Sequence, residues 1–181
     1  MVLGLHGEAD AEAAARLTAM FAKEPKAVGV GPGLAVNKQS AALIETVIRQ
    51  APKLVIDAGA LTVIAADPGR FYPLLRSRST ESGLPPAVLT PHPGEFRRLA
   101  PEYSELPRHD AAARLADLLN CVVVLKGAAT VIAEPRGRIL INTTGNNGLA
   151  SGGSGDVLTG LLLGFLAQGM AELPADRKSV V

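Results

Sequence analysis

The sequence predicts an α/β fold: a mostly parallel sheet with helices on both faces and an added β-hairpin. Three observations carry that prediction. Short apolar strands alternate with amphipathic helical stretches, the pattern of successive strand-helix units. The composition is 48 % hydrophobic but only 3 % aromatic, with 19 Gly and no Trp, which suits a core of Ala, Val, Leu and Ile in helix-covered strands. The length, 181 residues, is that of a single domain, read here as spanning 1–181.

Glu8 to Phe21 is Ala-rich with Leu17, Met20 and Phe21 on one side, an amphipathic helix that stops before Pro25. Lys26 to Val30 is a short apolar strand and Gly31-Pro32-Gly33 a turn. Gln39 to Gln50 forms the next helix, with Leu43, Ile44, Val47 and Ile48 at helical spacing. Lys53 to Asp57 makes a second strand with Asp57 at its carboxyl end, Phe71 to Arg78 a helix, and Ala87 to Thr90 a third strand. Ala111 to Leu119 repeats Leu115, Leu118 and Leu119 on one helical face, and Cys121 to Leu125 is a fourth, buried strand. Thr130 to Glu134 and Arg138 to Asn142, joined by Pro135-Arg136-Gly137, form the hairpin, so the sheet is mixed. Ser154 to Gln168 is apolar almost all round and stops at Gly169, which predicts a helix buried in the domain centre.

Charge narrows the choice of partner. With 18 Lys+Arg against 17 Asp+Glu and no basic block, neither nucleic acid nor an anionic membrane is favoured, and a small-molecule ligand is the default. The single Cys121 has no internal disulfide partner and precedes an apolar run, so a buried thiol in a reducing, cytoplasmic setting is expected. Met1 to Asp10 has neither a basic nor an apolar leader segment, and Val157 to Ala167 is too short to span a bilayer. Secretion and membrane insertion are not expected.

The most informative segment is Gly145 to Asp156, where Gly152, Gly153 and Gly155 pack against a helix start. The N–H groups of Gly153, Ser154 and Gly155 at that terminus, with the helix dipole behind them, form an anion hole suited to a transferring phosphoryl group. Asp156 lies in the first turn, placed to accept a proton from a hydroxyl. Glycine spacing alone does not separate this from a flexible turn before an acidic first turn. No Lys-Ser or Lys-Thr follows the glycines, so this is not a Walker loop and the phosphate needs another cation. Lys126, followed by Gly127, Ala128, Ala129 and Thr130 at the carboxyl end of the fourth strand, can supply it. Alone, Lys126 reads equally well as a solvated loop lysine.

Thr90-Pro91-His92-Pro93-Gly94-Glu95 also ends a strand, and its prolines set an extended path presenting His92 and Glu95 together. The competing reading makes Glu95 a cap for a helix beginning near Phe96 and His92 a packed loop residue. Gly31 and Gly33 form either a plain turn or a place where substrate lies on backbone. His6 and His109 have no second ligand at metal spacing, so no protein metal cage is expected, though Mg²⁺ can arrive with nucleotide phosphates.

Together, "LTPHPGEFRRL", "VVLKGAATVIA" and "GNNGLASGGSGDVLTGLLLGFLAQG", preceded by "VGVGPGL" and "LVIDAGAL", resemble the ADP-dependent NAD(P)H-hydrate dehydratase family of the ribokinase-like superfamily. The likeness runs from about Ala27 to Gly169. It implies a ribokinase-like three-layer sandwich that repairs hydrated NADH or NADPH. ADP phosphorylates the added hydroxyl, phosphate leaves, and AMP and the intact cofactor result, with Mg²⁺ accompanying the nucleotide. Carried over by position, Gly33, His92 and Asp156 match contacts to the hydrate, joined by Gly31. Lys126, Gly127, Ala128, Ala129, Thr130 and Gly155 match the surroundings of the adenine nucleotide. Glu95 and Asn146 are further candidates, and family members assemble as tetramers.

Departures from the family are specific. Asp57-Ala58-Gly59-Ala60-Leu61 stands where Asp-Ala-Asp-Ala-Leu is usual, Asn147 where Pro is usual, and Leu149 and Ser151 where Met and Thr are usual. The family's opening strands and closing helices have no counterpart, so the chain reads as truncated at both ends, with an open sheet edge. Residues 175–181 read as a non-native tail. Two rival readings stand beside the dehydratase: a small-alcohol kinase of the same superfamily, and a nucleotide-binding remnant without catalysis.

Overall fold

The computed structural model describes residues 10–144 and 153–170. Its elements are α1 (Asp10–Phe21), β1 (Val28–Val30), α2 (Lys38–Gln50), β2 (Leu54–Ile56), α3 (Ala58–Ala66), α4 (Pro68–Thr80), β3 (Val88–Leu89), α5 (Pro93–Leu99), α6 (Arg108–Leu119), β4 (Val122–Leu125), β5 (Thr130–Ala133), β6 (Ile139–Asn142) and α7 (Ser154–Ala167). The strands lie side by side in chain order. β1 to β4 are parallel, whereas β4, β5 and β6 are antiparallel. This is the mixed α/β sheet that the sequence predicts, with the hairpin at β5–β6.

Strand order dictates how the two faces are covered. When neighbouring parallel strands follow one another in sequence, right-handed crossovers place every connecting helix on the same face. Leu54 and Ile56 of β2, Leu89 of β3 and Val123 of β4 accordingly share one core with Ile44 and Ile48 of α2, Leu61 and Ile64 of α3, Phe71 and Leu75 of α4, and Leu115 and Leu119 of α6. Each fully buried side chain of this size contributes about 1.5–3 kcal/mol. Side chains alternate across a strand, so Val55, Val88, Val122, Val124 and Ile132 point to the other face, where Leu162 and Leu166 of α7 meet them.

That arrangement corrects the placement of α7. The sequence predicts a helix in the domain centre, yet only Thr159, Leu162 and Leu166 are buried, while Val157 is 63 % and Leu161 45 % exposed. The connecting helices are all on the opposite face, so among the described residues nothing packs outside α7.

Other differences are local. α3 is not foreseen, because Gly59, Thr62, Val63 and Ile64 are weak helix formers; Asp57 caps its start. α4 runs from Pro68, directly after the cap residue Asp67, and carries Pro73 inside the helix. Pro93 is the first residue of α5 rather than part of an extended path, so that helix begins three residues before Phe96. A buried guanidinium, Arg78, also goes unread in the sequence. It donates to the carbonyls of Ile48 and Ala51 at the end of α2 and to Pro85 at 2.8 Å, satisfying carbonyls that a helix end leaves unpaired.

Candidate functional site

The carboxyl ends of β1 to β4 and the amino end of α7 meet at one buried carboxylate. Asp57 follows β2 and is 1 % exposed. Its Oδ1 accepts from the Ala58 N–H at 2.8 Å and from Lys126 Nζ at 2.7 Å, and its Oδ2 accepts from Thr159 Oγ1 at 3.1 Å. A buried charge is tolerated only with such partners. Ala58 takes the left-handed region (φ 49°), uncommon for a residue with a side chain.

Lys126 stands at the end of β4. Its backbone N–H donates to Pro91 O at 2.9 Å, which ties its loop to the His92 loop. Its ammonium is 3.9 Å from Glu95 Oε2. The turn after it, Gly127 to Ala129, is closed by Thr130 Oγ1 donating to Gly127 O at 3.0 Å. Arg108, at the start of α6, donates to the carbonyls of Leu125, Lys126 and Ala129. A Cβ on Gly127 would lie 2.6 Å from that guanidinium, so a larger residue there would have to displace the end of the Arg108 side chain.

Gly153, in the left-handed region (φ 90°), precedes α7 as its cap residue and has no side chain with which to cap the helix. A Cβ on Gly155 would lie 3.5 Å from Asp57 Oδ2 and 3.6 Å from Lys126 Nζ. The helix start thus lies directly against the ion pair, and Asp156 is exposed in the same turn. Cation and helix N-terminus converge where an anion would be favoured.

His92 and Glu95 serve the capping role first. His92 Nδ1 accepts from the N–H groups of Gly94 (2.9 Å) and Glu95 (3.3 Å), while Glu95 Oε2 accepts from the His92 N–H at 2.8 Å. Because Nδ1 accepts, the neutral ring carries its proton on Nε2, which faces Glu95 Oε1 at 3.4 Å and stays half exposed. Gly31 is a packing glycine: at φ 130° its Cβ would fall 1.7 Å from Asp57 O, whereas Gly33 (φ 72°) faces open space. Asn146 lies outside the described residues, as do Gly145 to Gly152 of the glycine segment.

Sequence reasoning missed Asp57, Thr159 and Arg108 as parts of this site. A carboxylate directly after an apolar parallel strand was the signal available for Asp57. Among the described residues no three His, Cys, Asp or Glu side chains come together to hold a metal. Burial pushes the Cys121 thiol up to about 12, which makes it an inert core group. A shallow cleft lined by Phe21, Pro25, Gln50 and Pro52 lies at the opposite, amino ends of the strands, away from this chemistry.

Comparison with known proteins adds the family context. The model of a family described as NAD(P)H-hydrate dehydratase matches residues 5–180. A bifunctional NAD(P)H-hydrate repair enzyme from Gloeobacter violaceus is 45 % identical over 143 residues, 78 % of this chain and 26 % of its own length. The chain therefore spans about a quarter of that relative. The ADP/ATP-dependent NAD(P)H-hydrate dehydratase of Bacillus subtilis, crystallised with ATP and Mg²⁺, is 35 % identical with a TM-score of 0.69, covering 86 % of this chain and 52 % of that one. A ribokinase-like superfamily protein of Enterococcus faecalis is 28 % identical with a TM-score of 0.70, covering 90 % and 56 %.

Proposed function

Because the chain belongs to the NAD(P)H-hydrate dehydratase family, we propose that it returns NAD(P)H hydrate to NAD(P)H, using ADP and releasing AMP and phosphate. The observation that supports this best is the meeting of Lys126 with the start of α7 at Asp57, where a cation and a helix N-terminus share one end of a parallel sheet.

In this reading Asp156 takes the proton of the added ring hydroxyl. The hydroxyl oxygen bonds to the terminal phosphorus of ADP as the bond from that phosphorus to AMP breaks. Lys126 and the N–H groups of Gly153, Ser154 and Gly155 stabilise the charge on the moving phosphoryl group. The ring-nitrogen lone pair then expels phosphate, and loss of a proton from the adjacent ring carbon restores the reduced nicotinamide. Gly127 to Thr130 line the nucleotide, while Gly33 and the Nε2 edge of His92 face the hydrate.

Among the described residues no cage for Mg²⁺ forms: Asp57 is committed to Lys126 and Thr159, and Glu95 to the start of α5. The ion enters with the nucleotide and neutralises part of its phosphate charge. A cytoplasmic setting and a homo-oligomeric assembly belong to the same reading. No described helix is long and apolar enough to cross a membrane.

The test is the absorbance of reduced nicotinamide when the protein meets NADPH hydrate, ADP and Mg²⁺, with phosphate measured in parallel. An ADP-dependent rise with stoichiometric phosphate is expected. A stable phosphorylated product would instead assign a kinase of the same superfamily, and ADP binding without either product would leave a nucleotide-binding remnant.

A further inference from the structure

We propose that Asp57 is a positioning residue for nucleotide binding, holding the ammonium of Lys126 against the first turn of α7 so that cation and helix terminus act on one anion. The proposal rests on the reading of this site as nucleotide-binding.

The two oxygens of Asp57 face different elements. Oδ1 holds Lys126, on the loop after β4, at 2.7 Å, and Oδ2 takes the hydroxyl of Thr159, one turn into α7, at 3.1 Å. One carboxylate therefore joins β2, β4 and α7, segments 69 and 102 residues apart in the chain. A lysine ammonium has three donors. Asp57 uses one, Glu95 Oε2 lies farther off at 3.9 Å, and the side chain keeps 21 % of its exposure. Donors thus remain for an incoming phosphate. The absence of a side chain at Gly155 keeps the gap between this ammonium and the helix open, since a Cβ there would stand 3.6 Å from Nζ.

A lysine on a four-carbon stem loses much rotamer freedom when it is fixed. Asp57 and the fold have already imposed that order before the nucleotide arrives, which is how preorganisation improves affinity. The carboxylate touches neither the phosphate nor the reacting atoms in this scheme, and acts through Lys126.

The experiment is a double-mutant cycle on the full chain. ADP affinity is measured by calorimetry for wild type, Asp57→Asn, Lys126→Met and the double variant, with melting temperatures alongside. Each single change is expected to weaken ADP by about tenfold, the scale of one charge-assisted hydrogen bond, and the double variant to match the singles within about threefold. Losses that multiply to about a hundredfold, or an Asp57→Asn variant that binds as tightly as wild type or tighter, would overturn the proposal.

Lys126→Met alone leaves a buried carboxylate without its cation and is the variant at risk of unfolding. The double variant removes both charges, so the comparison then falls on Asp57→Asn against the double: equal affinities support the proposal and a further tenfold loss overturns it. Because the readout is binding, coupling with no hydrate turnover overturns only the dehydratase reading. Failure of the wild type to bind ADP overturns both.

Discussion

Two helix starts sit side by side at the carboxyl end of the sheet, and they are built on opposite principles. α5 satisfies its own first turn: the His92 ring takes the N–H groups of Gly94 and Glu95, and the Glu95 carboxylate takes that of His92. α7 follows Gly153, a cap residue with no side chain, and keeps its cation, Lys126, across the chain on another loop. A terminus that caps itself contributes stability and has little left for a ligand. One opened by glycine and faced by a lysine is less stable alone but presents donors and charge to an anion.

The largest expected effect separates the two termini outright. Asp156→Asn, in the first turn of α7, should lower turnover by about 10²- to 10⁴-fold, the usual worth of a positioned proton acceptor, while ADP affinity from calorimetry changes little. An unchanged rate would remove Asp156 as the base and erase the chemical distinction between the helices.

Next in size is Gly153→Ala. Forcing a Cβ into the left-handed region at φ 90° should cost about 1–2 kcal/mol in a denaturant titration and weaken ADP as the turn shifts. Equal stability would mean that the opening of α7 does not depend on glycine.

The test on α5 is smaller. His92→Ala removes the acceptor for two N–H groups and should destabilise by about 1 kcal/mol, with His92→Asn recovering most of it. If Nε2 also faces the hydrate, the Asn variant will regain stability but not KM for NADPH hydrate. Recovery of both would make His92 a cap alone.

A control lies far from either terminus, with its effect confined to pH above about 9. The Cys121 thiol is held at about 12 in the fold against an ordinary 9.0. Its folded value is raised, so its contribution is complete below about pH 9 and is lost as pH climbs from 9 towards 12, when only the unfolded chain ionises freely. Urea midpoints for wild type and Cys121→Ala should therefore differ by a constant amount up to about pH 9 and converge above it.

Much of this was legible along the chain. The continuous apolar run Val122 to Leu125 announces a strand buried on both faces, and the run is buried throughout. Pro135-Arg136-Gly137 between two short apolar runs announces the hairpin, and β5 and β6 pair in register across it. Lys126 to Thr130 and Gly153 to Asp156 stood out because glycines there adjoin a strand end and a helix start. α3 did not, since its glycine and β-branched residues argue locally against a helix that packing nevertheless forms. Nor did the partial exposure of α7, because the periodicity of an apolar helix says how much surface wants covering and not how many neighbours the topology supplies.

By itself, the sequence determined the alternation of strands and helices, the turn between β5 and β6, and which residue types could bind phosphate and accept a proton. These are properties of neighbours along the chain, set by local sterics and by hydrophobic period. Only the tertiary structure decided that all connecting helices share one face and α7 takes the other. It alone brought Asp57, Lys126 and Thr159 to within hydrogen-bond reach, and made His92 and Glu95 a closed cap rather than a free pair. Those outcomes depend on strand order and on contacts between residues far apart in sequence, and a buried charge finds its partner only once the chain has folded around it.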